Sequence, residues 1–380
     1  MKQPVLIMFG GVSAEHEVSV ITGLQVLEHI DATRHETLPV YVTKRGEFLY
    51  MPRLRSRKEF LTTGRVPLLF GRDAKGGFVK TDGIIAKKVY PYAAYLAFHG
   101  GLGESGSIQG LLESMGVPCT SSTSEGSVIA MNKKLAKESI AETGIRTVPD
   151  IRFFAEEIQT TGVEALAALV TKKLGLPAIV KPVHLGSSIG LTIARNEIEL
   201  QKGLLEAAFS DTEIIVEPFL EGISEFNCSV RCVRGALEAS EIDRPIQRDA
   251  ILSFADKYQR GGGKKGGAGM ASLTREFPAK VSPQFREEIQ STAKSAYRAA
   301  RLSGIVRVDF MQDKTGILYL TEINPIPGSM AFYLWEASGI PFQTQVSDAI
   351  EEAVRTAGIK RATNLDYQSD IVNLFVRSPQ

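Results

Sequence analysis

The hydrophobic pattern of the first 125 residues alternates between strands and helices. An apolar run at residues 5–9 predicts a buried strand, and Val20, Leu24 and Leu27 recur at helical spacing just after it. A second buried strand is predicted at residues 93–98, before a helix that glycine and proline residues end. This alternation predicts an α/β domain with a parallel sheet.

The pattern changes twice further along the chain. Residues 126–225 combine short strands and helices and predict a compact α+β unit. Residues 226–380 begin with two long strands, and continue with a helix, a hairpin at 305–324 and a last helix. We therefore expect three domains, at residues 1–125, 126–225 and 226–380, with a lid loop at about 250–272 in the third.

Composition favours an ordinary globular protein. Lys plus Arg number 44 and Asp plus Glu number 43, so there is no basic excess to favour nucleic acid as a partner. We expect no signal peptide and no membrane partner, because no segment approaches the ~18 apolar residues of a transmembrane helix. Cys119, Cys228 and Cys232 fit neither a disulfide framework nor a zinc site. We expect these three cysteines to be buried thiols, and we expect the protein to lie in a reducing, cytoplasmic compartment.

The hairpin at 305–324 carries the most informative polar pattern. Side chains alternate along strands, so Arg307, Asp309, Glu322 and Asn324 are predicted to share one face. The expected tight turn places Arg307 opposite Glu322, and Asp309 opposite Leu320. Such oxygen donors suit a magnesium site that touches phosphates. A solvated polar face with an Arg–Glu pair explains the pattern equally well.

Two segments in the middle of the chain suggest nucleotide binding. A strand delivers Lys181 to a glycine-serine turn, where backbone N–H groups and a lysine can hold phosphate oxygens. Glu217 and Glu225 flank the end of a later strand, where backbone groups could hold adenine and a carboxylate the ribose. An ordinary hairpin turn and common strand-end acidic residues are the alternatives.

Two glycine-rich turns follow the buried strands of the first domain. Ligands of parallel sheets bind at the carboxyl ends of strands, so Glu15, His16, His99 and Glu104 are expected to point into one crevice. A structural hydrogen-bonding role is the alternative for a lone histidine. The glycine-lysine segment at 260–269 is expected to be a flexible surface loop or a lid over the phosphates.

Taken in order, these segments resemble the D-alanine–D-alanine ligase family of the ATP-grasp fold. The resemblance runs from Phe9 to about Gly339 and rests on FGGVSAEHEVS, HGGLGESGSIQGLLE, MNKKLAK, IVKP…GSSIG, ADKY, RVDF and EIN…PG. It implies an ATP-grasp fold preceded by a parallel-sheet domain. It also implies ATP-dependent ligation of two D-alanines through an acyl phosphate, for peptidoglycan precursors, with a homodimer as one conceivable assembly.

The resemblance assigns roles to individual residues. It implies that Lys133 and Lys181 bind the phosphates of ATP and that Lys257 reaches the γ-phosphate. It implies that Glu217 binds adenine together with backbone groups near Phe219 and Leu220, and that Glu225 binds the ribose. For the metal it implies two Mg²⁺ ions, replaceable by Mn²⁺, on Asp309, Glu322 and Asn324. For the amino acids it implies that Glu15 binds the first amino group and that Ser187 and Tyr258 link Glu15 to the lid. It implies that Arg307 and the Gly328 N–H stabilise the oxyanion, and that His99, Ser329 and Met330 contact the substrates.

The sequence departs from the family pattern in four places. Ser105, Asn132 and Leu185 stand where the family carries acidic residues, and the loop after Asn324 is shorter than usual. Tyr258 favours an amine over a hydroxy acid as the second substrate. The short loop keeps one alternative open, a ligase with another acceptor such as D-serine. A nucleotide-binding protein without catalysis is a further alternative, which the presence of the lysines, the arginine and the oxygen donors named above disfavours.

Overall fold

A computed structural model of the chain describes residues 2–81, 87–186, 189–246, 275–361 and 371–377. Three sheets, flanked by helices, make up this part of the protein. No helix in these ranges is both long enough and apolar enough to cross a membrane.

The first sheet has six strands in the order β5-β4-β3-β2-β1-β6. Only β2, β1 and β6 run parallel, and the other three extend the sheet in antiparallel fashion. The predicted parallel sheet is therefore only half of the observed one. The central position of β1, with neighbours on both sides, explains its continuous apolar run. The strands are β1 Gln3–Gly10, β2 His35–Val42, β3 Phe48–Tyr50, β4 Val66–Asp73, β5 Gly76–Thr81 and β6 Ala93–Leu96.

The other two sheets are antiparallel throughout. The second sheet has the order β7-β10-β8-β9 and the third the order β13-β12-β11-β14-β15, and every pairing in them is antiparallel. The strands are β7 Ile151–Phe154, β8 Ala178–Pro182, β9 Thr192–Ala194, β10 Glu213–Pro218, β11 Ser224–Val233, β12 Ala236–Pro245, β13 Arg275–Glu276, β14 Ile305–Gln312 and β15 Leu318–Asn324.

The helices cover the sheets, and the helices predicted after residues 5–9 and after residues 93–98 are both present. Gly116 ends α3 with a left-handed φ of 70°, as its place in the sequence predicts. The helices are α1 His16–His29, α2 Gly101–Glu104, α3 Ser107–Met115, α4 Ser124–Met131, α5 Lys133–Ile140, α6 Ala155–Thr160, α7 Val163–Leu174, α8 Glu197–Ser210, α9 Pro283–Ala299, α10 Phe332–Ala337, α11 Phe342–Arg361 and α12 Ile371–Arg377.

Three clusters of buried apolar side chains accompany the three sheets. The first cluster also includes Phe342, Val346 and Ile350 of α11, so a helix from the end of the chain packs onto the first sheet. The third cluster lies wholly between residues 153 and 216. The three-domain division stays a prediction, but α11 joins the first and third segments in one core.

Helix α1 packs closely against β1 at Gly23. A Cβ at this position would lie 2.4 Å from the Cβ of Phe9, whereas a Cβ at Gly110 of α3 would lie 3.8 Å from that of Ser124. We expect Gly23→Ala to lower the free energy of unfolding by ~1–3 kcal/mol through overpacking. Gly110→Ala should raise it by up to ~1 kcal/mol, because glycine loses more entropy on folding. Urea denaturation of the two variants measures the difference, and equal stabilities would contradict this packing.

Candidate functional site

A cleft of about 280 Å³ opens where the three sheets face one another. Its walls come from β8, β10, β14 and β15, and from the turns that follow β1 and β6. Fourteen of the candidate site residues that the sequence predicted line it: Glu15, His99, Glu104, Lys133, Lys181, Glu217, Phe219, Leu220, Glu225, Arg307, Asp309, Glu322, Asn324 and Gly328.

The β14–β15 hairpin has a different register from the predicted one. Arg307 lies opposite Asn324 and Asp309 opposite Glu322, so the predicted pairs with Glu322 and Leu320 are wrong. A bulge between Asp309 and Phe310 shifts the register, and the turn is longer than expected. At these positions the predicted register differs from the observed one by two residues. Side chains alternate with a period of two, so this shift leaves each side chain on the same face of the sheet. The prediction that the four polar side chains share a face is therefore confirmed.

A row of polar residues crosses the third sheet at this level. Asp243, Asn227, Asp309 and Glu322 lie directly opposite one another on β12, β11, β14 and β15. We call these four residues the polar ladder. Directly opposed side chains in antiparallel pairs come within about 5 Å at their Cβ atoms. The ladder therefore gathers three carboxyl groups and an amide across four strands.

Several side chains donate hydrogen bonds to Asp309. Arg307 donates from Nε and Nη2 to its two carboxylate oxygens, each at 2.7 Å. Asn324 donates to Oδ2 at 3.0 Å, and Asn227, with its amide oriented to donate, reaches Oδ1 at 3.2 Å. These donors fix the carboxylate in one orientation towards the cleft.

The donor set suits a hard cation that also binds phosphate. In the described ranges, no group of three or more His, Cys, Asp or Glu side chains could hold a metal ion by itself. Two carboxylates, Asp309 and Glu322, and the amide of Asn324 are present. Mg²⁺ typically takes one or two carboxylates and completes its shell with water and nucleotide phosphates. A divalent ion fits this set only together with a phosphate ligand.

Two lysines reach the cleft from different elements. Lys133 begins α5 and donates to the Leu185 carbonyl at 2.5 Å, with Glu322 Oε1 at 3.4 Å. Asn132 caps the same helix, because its side chain accepts the N–H groups of Lys134 and Leu135. Asn132 thus keeps the capping chemistry of an acidic residue without its charge.

Lys181 and Lys137 grip opposite oxygens of the Glu217 carboxylate. Lys181 Nζ lies 2.5 Å from Oε2, and Lys137 Nζ contacts Oε1. Burial alone would raise the pKa of Glu217, but the two ammonium groups outweigh it and hold that pKa below its ordinary value. The sequence analysis missed Lys137. Lys137 follows Lys133 by four residues, and residues four apart share one helix face. This spacing is the sequence feature that indicates a place for Lys137 beside the cleft.

His99 is held between the Ile326 backbone and the Thr22 side chain. Its Nδ1 lies 3.0 Å from the Ile326 carbonyl, which can only accept, so Nδ1 carries the proton. Nε2 then accepts from the Thr22 hydroxyl at 2.7 Å. Burial lowers the pKa of His99 to about 4, so the ring is neutral. Both ring nitrogens therefore bond to other groups of the protein. This agrees with the structural hydrogen-bonding role that the sequence analysis gave as the alternative for a lone histidine.

Glu104 binds the other polar backbone group of Ile326, its N–H. It accepts the Ile326 N–H at 3.2 Å and the Gly100 N–H at 2.7 Å. Burial, together with the nearby charge of Glu15, raises the pKa of Glu104 to about 8. His99 and Glu104 therefore hold both polar backbone groups of Ile326, two residues before Gly328. His16, expected in the same crevice, instead contacts the Gly11 carbonyl and the Tyr41 hydroxyl outside the cleft lining.

The short loop after Asn324 ends in a left-handed turn. Ser329, Met330 and Ala331 have φ values of 48°, 54° and 50°, which is unusual for three consecutive non-glycine residues. Ser329 and Met330 are buried and do not line the cleft. The Ser329 N–H donates to the Thr22 hydroxyl at 3.2 Å. Their assignment to the substrates stays a prediction, as do the assignments of Ser187, Lys257 and Tyr258 and the lid at 260–269, which lie outside the described residues.

Family models match both halves of the chain. One described as D-ala D-ala ligase N-terminus matches residues 4–122, and one described as D-ala D-ala ligase C-terminus matches residues 140–351. A protein named D-alanine–D-alanine ligase from Thermoanaerobacter sp. (strain X514) is 33% identical over 93% of this chain and 97% of its own length. Another of that name, from Thermosipho africanus, is 31% identical over 97% of this chain and 98% of its own.

Solved structures share the fold at lower identity. The D-alanine-D-alanine ligase from Coxiella burnetii has a TM-score of 0.77 at 23% identity and covers 99% of both chains. The VanG D-Ala:D-Ser ligase from Enterococcus faecalis has a TM-score of 0.78 at 24% identity, over 93% of this chain and 100% of its own. Ligases named for different second substrates thus have the same fold, so fold alone does not select the acceptor.

The raised pKa of Glu104 predicts a pH-dependent stability. The pKa of Glu104 is about 8 in the folded protein, against an ordinary value of 4.5. The stabilisation that its bound proton gives the folded state is therefore fully present below the ordinary pKa and is lost as pH rises through about 8. Glu104→Gln cannot titrate there. We expect its deficit in unfolding free energy relative to the unmodified protein to shrink by about 2 kcal/mol between pH 6 and pH 9. Urea denaturation measures this, with exposed Glu142→Gln as the control. A deficit independent of pH would contradict the assignment.

Proposed function

This chain belongs to the D-alanine–D-alanine ligase family, and from that premise we propose that it joins two D-alanines into a dipeptide with hydrolysis of ATP to ADP and phosphate. The cleft that gathers two lysines, an arginine and the Asp309–Glu322 pair is the observation that carries the proposal. The product would serve as a precursor of the bacterial cell wall, made in the cytosol where ATP is supplied.

The chemistry explains why such a cleft is needed. A carboxylate is a poor electrophile, so the first D-alanine accepts the γ-phosphoryl group of ATP on a carboxylate oxygen and becomes an acyl phosphate. The amine of the second D-alanine attacks the carbonyl carbon, and inorganic phosphate leaves. Phosphoryl transfer depends mainly on positioning and on neutralising charge. Lysines, an arginine and a divalent cation provide that neutralisation.

We place the phosphates of ATP beside Lys133 and Lys181. The ammonium of Lys181 is oriented by Glu217, which Lys137 holds in turn. Lys133 is oriented by the Leu185 carbonyl. Each lysine therefore has a fixed direction before the nucleotide arrives, which reduces the cost of ordering it. Phe219, Leu220 and Glu225 line the cleft beyond Glu217, where the adenine and ribose would lie.

Asp309, Glu322 and Asn324 would hold the divalent cations, and we propose two Mg²⁺ ions with Mn²⁺ as a substitute. Such cations neutralise the phosphate charge that develops during transfer. Both carboxylate oxygens of Asp309 now accept from Arg307. Cation binding at Asp309 would compete with that ion pair and leave the guanidinium for the oxyanion of the reacting carboxyl group.

The amino-acid end of the cleft lies between Glu15 and Gly328. Glu15 supplies a carboxylate for the first amino group, and the Gly328 N–H would face the oxyanion. We give His99 and Glu104 a positioning role, because together they hold Ile326, two residues before Gly328. A neutral His99 supplies no positive charge to a substrate carboxylate.

A different second substrate is the alternative that one observation favours. The loop after Asn324 is short, and its left-handed turn places Ser329 and Met330 away from the cleft lining. A pocket with altered walls could take D-serine or another small amine. The lysines and carboxylates in the cleft speak against a binding protein without catalysis.

The test is ADP release with ATP, Mg²⁺ and a panel of D- and L-amino acids, with products identified by mass. We expect release with D-alanine alone and formation of the dipeptide. D-lactate added to D-alanine at neutral pH should give no ester. Release that requires a mixed pair would assign the alternative acceptor, and absence of D-alanine-dependent release with every partner would contradict the proposal.

A further inference from the structure

His184 lines the cleft in the turn that follows β8. Its Nδ1 lies 2.9 Å from Oδ1 of Asp211, the residue that follows α8. Its Nε2 lies 3.1 Å from Nδ2 of Asn132, the residue that precedes α5. The His184 N–H also donates to Asp211 Oδ2 at 2.7 Å. Both ring nitrogens and the backbone therefore tie this turn to the ends of two helices.

The carbonyls on either side of His184 both bind Lys133. The Val183 carbonyl accepts the Lys133 N–H at 3.3 Å, and the Leu185 carbonyl accepts from its Nζ at 2.5 Å. The His184 side chain bonds to Asn132, which precedes Lys133 and caps its helix. Three consecutive residues of the turn therefore hold both ends of one lysine and the residue before it. Displacement of His184 would shift the ammonium group that faces the phosphates in the proposed function.

Hydrogen bonding selects one protonation state of the His184 ring. Burial would raise the pKa of Asp211, but the bonds from His184 outweigh it and hold that pKa below its ordinary value, so a carboxylate accepts from Nδ1–H. Asn132 Oδ1 already accepts the N–H groups of Lys134 and Leu135. Its Nδ2 then points at Nε2 as a donor, so Nε2 carries no proton. The neutral ring with its proton on Nδ1 satisfies every one of these partners.

A second proton on His184 would set two donors against each other. Its Nε2–H would face the Nδ2–H of Asn132, and turning that amide would take Oδ1 from the first turn of α5. The surrounding charges nevertheless favour that proton. The hydrogen bond to Asp211 raises the pKa of His184 above its ordinary value, the charge of Glu213 adds to this, and Lys133 opposes it. The Asn132 amide and the Asp211 carboxylate therefore favour different protonation states of one ring.

We propose that His184 is a positioning residue for Lys133: its neutral ring holds Asn132 and the turn after β8 so that the lysine is directed at the phosphates of a nucleotide, and protonation of the ring releases this arrangement. The inference rests on the proposed function, because it needs the phosphates beside Lys133. The residue at position 132 sets the sign of the effect. An aspartate there would accept from Nε2–H and favour the protonated ring, whereas Asn132 favours the neutral one.

The test measures the dissociation constant of ADP with Mg²⁺, by calorimetry without amino acids, between pH 6 and pH 9. Each value is divided by that of His184→Gln, which cannot titrate, so that the titration of ADP and of other cleft groups cancels. In the unmodified protein the corrected constant should rise about fivefold as pH falls, the effect of one lost hydrogen bond. In Asn132→Asp it should instead rise with pH, because there the protonated ring makes both side-chain bonds.

Asn196→Asp is the matched control, because Asn196 also caps a helix, α8, but does not line the cleft. It should follow the unmodified protein at every pH. NMR of the imidazole nitrogens should show the His184 proton on Nδ1 at pH 9, and a higher pKa of His184 in Asn132→Asp.

Four results would overturn the proposal. They are a His184 proton on Nε2, no detectable ADP binding, the same pH dependence in Asn132→Asp as in the unmodified protein, and a corrected constant that falls with pH in the unmodified protein. The last is what an added positive charge beside the phosphates would give by attraction alone. If ADP binds as predicted but D-alanine causes no ADP release, the proposed ligation fails and the role of His184 stands. If D-alanine causes release but ADP binding shows no reversal in Asn132→Asp, this inference fails and the ligation stands.

Discussion

The in-register pairing of four polar residues across the third sheet is the constraint on which the site depends. Asp309 sits in the middle of the ladder, between Asn227 and Glu322, and Arg307 holds its two oxygens. Backbone pairing of β11, β14 and β15 sets these positions more rigidly than loops would. Lys133, Lys181 and the turns that follow β1 and β6 are then arranged around a fixed carboxylate.

A second constraint connects the first sheet to the end of that hairpin. His99 and Glu104, from the segment after β6, hold the carbonyl and the N–H of Ile326. Thr22 of α1 bridges His99 to the Ser329 N–H. The loop that follows β15 is thereby fixed by side chains from α1 and from the segment after β6. This explains how a shortened loop keeps three consecutive residues in left-handed conformations, which cost energy and need support from their surroundings.

Much of the fold and of the cleft could be predicted from residue pattern. Alternation along strands placed Arg307, Asp309, Glu322 and Asn324 on one face, because that inference needs only the period of a strand. The register failed, because a bulge after Asp309 leaves no mark in the pattern. Lys137 was missed, because its partner Glu217 is eighty residues away. The buried positions of Ser329 and Met330 depend on positive φ values, which the sequence does not indicate because neither residue is a glycine.

The central claim is that Asp309, within the ladder, binds the divalent cation that accompanies ATP. The most direct measurement is the Mg²⁺ dependence of ADP formation in Asp309→Asn, beside Asp313→Asn, a matched change in the turn of the same hairpin. The account predicts that the Mg²⁺ concentration for half-maximal rate rises at least tenfold in the first variant, about 1.4 kcal/mol, and stays unchanged in the second. The same Mg²⁺ dependence in Asp309→Asn as in the unmodified protein would contradict it.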